Sequence, residues 1–144
     1  MSFNFGERSE SRLATVNHDL VMPFRAVIGF FDFTVICGWR GKEAQTAAYE
    51  MGFSTKEWGE SDHNFVNADG VEESHAIDVA PWYIAPPHIR WKNEDDFKVL
   101  AGRVLQVGDE LGIPMIWGGD WDGDNSSHDQ TFMDVGHFAI LLDF

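Results

Sequence analysis

Four side chains in this chain could do chemistry together. His63 stands in the polar stretch SDHN (61–64), Asp78 in the apolar run AIDVA (76–80), and Asp134 and His137 share DVGH (134–137). Neutral imidazole and carboxylate both suit zinc. Two histidines and one aspartate would leave a fourth position for water. Asp134 is then the spare carboxylate that such a site needs for proton transfer.

Each residue taken alone has a plainer reading. His63 reads equally as a solvated loop histidine, His137 as a satisfied core residue between apolar neighbours, and Asp134 as a turn carboxylate before a strand. Asp78 is harder to dismiss, because an unpaired carboxylate between Ile77 and Val79 would cost several kcal/mol. It needs a metal, a cation or several donors. One explanation that covers both histidines and the strand carboxylate gains from all three. Arg40 follows the strand-like FTVIC (33–37) and can supply fixed positive charge to a substrate carboxylate or an oxyanion, or form an ordinary surface ion pair. Gln45 lies where it can reach back toward the same cleft.

His75 is the nearest rival ligand, but strand alternation points it away from the face of Asp78. His18, His88 and His128 fall in loops or helix ends. Asp120, Asp122 and Asp124 alternate in a Gly-rich stretch, which reads as a solvated loop or as calcium ligands; the glutamate that ends an EF-hand loop is absent. No HExxH, GxSxG or P-loop pattern occurs.

Ten basic and twenty-four acidic residues give a formal charge of −14. Such a chain repels phosphate backbones and anionic lipid, and the same charge favours solubility. With 144 residues the chain fits one domain. Cys37 is the sole cysteine, so internal disulfides and Cys-rich zinc clusters are excluded. The N-terminus has no basic start followed by an apolar run, and AVIGFFDFTVICGW (26–39) is too short and too interrupted to span a bilayer. A soluble product made in the cytoplasm is expected.

The elements that must position these residues follow from periodicity. A short helix capped by Ser9 or Ser11 runs to about His18, and a second runs from Asp19 to Phe31 with Pro23 in its first turn. Strand FTVIC precedes a helix over Lys42 to Met51 that Gly52 closes. Phe53 to Glu73 is a long loop, and His75 to Val79 a strand. Asn93 caps the strongest helix, Asn93 to Leu111, whose apolar stripe is Phe97, Leu100, Val104, Val107 and Leu111. Pro114 to Trp117 and His137 to Leu142 are two more strands. Helices first, strands mostly later and no βαβ alternation predict an α+β fold with a small, mostly antiparallel sheet.

The motifs SDHN (61–64), AIDVAP (76–81), WGGDW (117–121) and FMDVGHF (132–138), with GWRGKEAQ (38–45) and GFS (52–54), resemble phage endolysins of the D-alanyl-D-alanine carboxypeptidase-like zinc peptidases. Within that group the chain is most similar to the L-alanyl-D-glutamate peptidases, over about Ser9 to Phe138. The resemblance implies the Hedgehog/D-Ala-D-Ala peptidase-like fold, zinc held by His63, Asp78 and His137, Asp134 as general base and Arg40 as electrostatic stabiliser. Two departures stand out. The interval from His63 to Asp78 is 15 positions, longer than in relatives, so an insertion within Phe65 to Glu73 is expected to reshape the cleft rim. Ala139 replaces the glutamate common after His-Phe.

The implied activity is zinc-dependent hydrolysis of the L-alanyl-D-glutamate bond in the peptidoglycan stem peptide, leading to lysis of the host wall by a monomer. A separate membrane-permeabilising protein would release it from the cytoplasm. The alternatives are a D-Ala-D-Ala carboxypeptidase or dipeptidase, and a metal-stabilised wall-binding module without turnover.

Overall fold

The computed structural model describes residues 3–119 and 134–142. Among these residues four antiparallel strands form one sheet in the order β1-β2-β4-β3: β1 is Phe33–Cys37, β2 Ala76–Pro81, β3 Met115–Trp117 and β4 His137–Ile140. Among the described residues four α-helices accompany it: α1 (Glu7–Leu13), α2 (His18–Val27), α3 (Lys42–Glu50) and α4 (Glu94–Glu110). The expected α+β class and antiparallel sheet are what the chain adopts.

Strand alternation divides the sheet into two chemically different faces. Ile77 pairs with Phe138 and Val35 with Val79, and these residues join Ile140 in the apolar core with Leu20, Phe24 and Val27 of α2 and Leu100 and Val104 of α4. Phe24 meets Phe138 edge-on at 5.2 Å between ring centres. The opposite face carries Ala76, paired with Ala139, and Asp78, paired with His137. Small residues there let other chain segments approach closely.

Local chemistry moved several expected boundaries. Helix α1 starts at Glu7, behind Gly6, so neither Ser9 nor Ser11 is its cap. Ser9 is instead buried against edge strand β1: its Oγ accepts from the Val35 N–H at 3.0 Å and shares a bond with Thr34 Oγ1 at 3.1 Å. Arg12 Nη1 donates to the Val35 carbonyl at 2.7 Å. Helix α2 is capped by Asn17, whose side chain accepts from the backbone of Asp19 and Leu20, and it ends at Val27. Pro23 therefore lies inside the helix rather than in its first turn. Asn93 occupies the cap position of α4, but its amide donates to Tyr83 and Asp96 instead of accepting from the helix. Leu111, placed on the apolar stripe of α4, is exposed, because the helix ends one residue earlier and Gly112 turns the chain at φ 72°.

Candidate metal centre

Asp78 and His137 share a face because β2 and β4 align them as direct cross-strand partners. His63 reaches that face from a single 3-10 turn, Asp62–Asn64, opened by a capping box in which Ser61 accepts from the His63 N–H and Asn64 from the Ser61 N–H. The long segment Phe65 to Glu73 does not disturb this placement. It turns back on itself through a Val66–Glu72 bridge, the Glu73 N–H bonds to the Phe65 carbonyl, and the His75 N–H returns to the Asp62 carbonyl at 2.9 Å. The segment is thus closed on itself beside the site. None of its residues is among those that line the described cleft.

Ligand-type atoms of three residues converge. His63 Nε2 lies 3.2 Å from Asp78 Oδ2, His137 Nδ1 lies 2.9 Å from Asp78 Oδ1, and the two imidazole nitrogens are 3.3 Å apart. Tetrahedral zinc with nitrogen and oxygen ligands asks for donors about 3.3 Å apart, so the spacing and the donor types both fit that ion. His63 Nδ1 donates to the Gly38 carbonyl at 2.7 Å, which fixes the tautomer that leaves Nε2 facing the cluster. Gly38 has no room for a side chain, since a Cβ there would lie 2.4 Å from the Arg12 carbonyl. The Asp134 carboxylate comes within 4.8 Å of the Asp78 and His137 ligand atoms.

Electrostatics within this cluster are strong. Burial works against a charged His63, but the attraction and hydrogen bond of Asp78 outweigh it and push the imidazolium up to about 10. Burial likewise opposes ionisation of Asp78, yet His63 and His137 hold its carboxyl well below the usual range. Burial and repulsion from Asp78 raise Asp134, partly offset by the two histidines. A carboxylate raised in this way is a better proton acceptor.

Around the cluster lies a cleft of about 430 Å³, whose walls include Arg40, Phe53, Ser54, Lys56, Asp62 and Asp134. Arg40 Nη2 is 3.2 Å from Asp78 Oδ2, so the guanidinium stands beside the cluster rather than on the outer surface. Gln45 reaches Arg40 but is fully buried behind the wall. His75 is elsewhere: its ring stacks on Phe65 at 3.8 Å and its Nε2 meets Glu73 at 3.1 Å. Asp120, Asp122, Asp124 and His128 lie outside the described residues.

Sequence reasoning gave no site role to Cys37 or Asn64. Cys37 Sγ is within 4.8 Å of the His63 and Asp78 ligand atoms, and hydrogen bonding to His63 lowers its thiol despite the opposing effect of burial. It arrives there through an irregularity in β1: Val35 pairs with Val79 but Cys37 with Asp78, one residue out of step, which turns Cys37 toward Asp78. Nothing in FTVIC announces that shift. Asn64 was findable, because Ser61 and Asn64 stand at capping-box spacing.

A family model described as phage L-alanyl-D-glutamate peptidase matches residues 1–141. The L-alanyl-D-glutamate peptidase of Escherichia phage T5 is 34% identical over 148 residues, an alignment that covers 98% of this chain and 100% of that protein. Among solved structures, the Serratia marcescens L-Ala D-Glu endopeptidase ChiX is similar, with a TM-score of 0.72 and 26% identity over 96% of this chain and 90% of its own.

Proposed function

Since the chain belongs to the phage L-alanyl-D-glutamate peptidase family, we propose that it is an endolysin that hydrolyses the L-alanyl-D-glutamate bond of the peptidoglycan stem peptide, with zinc held by His63, Asp78 and His137. The observation that supports the metal assignment is the convergence of the His63 and His137 nitrogens, 3.3 Å apart, on the two oxygens of Asp78. When bound, zinc would supply Lewis-acid polarisation and an acidified water.

The chain's own groups supply the rest. Asp134 takes the proton of the attacking water and passes it to the leaving amine, a task suited to a carboxylate whose affinity for protons is raised by burial and by Asp78. Arg40 stabilises the negative charge that develops on the scissile carbonyl oxygen, from a position already fixed by Asp78. The cleft holds the stem peptide across these groups.

The whole chain is read as one monomeric catalytic domain. None of the helices among the described residues is long and apolar enough to cross a membrane. Synthesis in the host cytoplasm and release by a separate membrane-permeabilising protein complete the proposal. Digestion of purified peptidoglycan, with new termini identified by mass spectrometry, tests it. Free L-Ala carboxyl ends are expected; release of D-Ala would instead indicate a carboxypeptidase, and an intact wall a binding module. Metal analysis should return one zinc per chain.

A further inference from the structure

Helix α3 contributes one buried side chain, and that side chain is an amide, Gln45. A helix that packs for hydrophobic gain does not bury glutamine alone. The amide is fully used: Oε1 accepts from Arg40 Nη1 at 3.0 Å and Asn64 Nδ2 at 3.3 Å, while Nε2 donates to the Lys56 carbonyl at 2.6 Å and Ser54 Oγ at 3.1 Å. Two acceptor and two donor positions are all a carboxamide has, so none remains for a substrate. Its partners come from three separate places: the segment after β1, the turn that carries His63, and the cleft wall.

We propose that Gln45 is a positioning residue that locks the Arg40 guanidinium and the cleft wall Ser54 to Lys56 into one unit. Arg40 has one fork nitrogen on Asp78 and the other on Gln45, so without Gln45 its guanidinium is held from one side only. Asn64 braces the same residue at its backbone, since its Nδ2 also donates to the Arg40 carbonyl at 2.9 Å. On the other side, the Lys56 N–H bonds to Ser54 Oγ at 3.1 Å, so the wall is a small closed turn with Gln45 as its anchor.

The kinetic part of this proposal rests on the peptidase reading, whereas the coupling between Gln45 and Arg40 does not. The test uses the full chain carrying Gln45→Met, which keeps side-chain length and removes all four bonds, and Ser54→Ala, which removes one wall contact. With a stem-peptide substrate and zinc content unchanged, Q45M is expected to lower kcat by about tenfold or more through Arg40 and to raise KM about threefold through the wall. In an Arg40→Ala background the kcat effect should shrink to less than about twofold while the KM effect persists. S54A should reproduce the KM change with kcat nearly intact, and it serves if Q45M fails to fold.

Urea unfolding of the same four chains (wild type, Q45M, R40A and the double variant) reads the coupling without turnover, and the double variant should cost less than the two single losses together. Additive unfolding with an equal kcat loss in both backgrounds would overturn the proposal, as would a KM for S54A equal to that of the wild type. A wild-type chain that holds zinc, leaves the wall intact and still shows the unfolding coupling would overturn the peptidase reading alone.

Discussion

His63 and His75 flank the same loop, both are buried, and both meet a carboxylate at just over 3 Å, yet their surroundings differ. His63 faces a second imidazole and an aspartate on the polar side of the sheet. His75 has an aromatic ring against one face and a half-buried glutamate two residues away in sequence. The first arrangement gathers donors from three distant segments around a small gap, whereas the second satisfies one ring locally. Burial and charge pairing therefore do not separate a candidate ligand from a structural histidine; the convergence of donor atoms from several independent elements is what marks His63 as the candidate.

The sharpest way to break this contrast is to remove each ring. His63→Ala should lose zinc and activity by more than about 100-fold, beyond what loss of a supporting partner costs. His75→Ala should keep one zinc per chain by metal analysis; equal zinc loss in both would erase the distinction. Next in size, Asp134→Asn should retain zinc while turnover of cell walls falls about 10²–10⁴-fold; unchanged turbidity clearance would remove Asp134 as the base.

A pH series sharpens the comparison further. A metal must displace the proton that His63 keeps up to about 10, so apparent zinc affinity should rise by about tenfold per pH unit between roughly pH 6 and 9. For the metal-free chain the trend runs the other way. The raised His63 contributes stability fully below its unfolded value of about 6.5, and that contribution is lost as pH rises toward 10. Asp78, which is depressed on folding, contributes above about pH 4 and loses its contribution as pH falls. The gap in Tm between zinc-loaded and chelated protein should therefore widen with rising pH. Smallest of all, Glu73→Gln should cost less than about 1 kcal/mol in urea unfolding, because its carboxylate is partly solvated, and should leave zinc untouched.

What the sequence makes legible is what depends on local pattern. Strand β1 begins and ends where FTVIC does, and Gly52 closes α3 as its position suggests, with φ at 79°. Asp78 announces itself by standing charged within an apolar strand. The features that escaped depend on partners far along the chain: the one-residue slip that brings Cys37 to Asp78, the use of Ser9 on a neighbouring strand rather than on its own helix, and the closure of the long loop at Phe65 and Glu73. Gln45 was noticed for its reach, but only its four simultaneous partners separate an anchor from a cleft residue.

The contacts of Ser9 and Arg12 with Val35 also bear on how the protein behaves in bulk. An uncovered outer strand invites a second molecule to extend the ladder, the usual first step toward insoluble aggregates. Here helix α1 occupies the hydrogen-bonding groups of Val35, and the opposite margin of the sheet, β3, is only three residues long. With one described margin covered and the other short, neither offers a long template on which a second copy could extend the ladder.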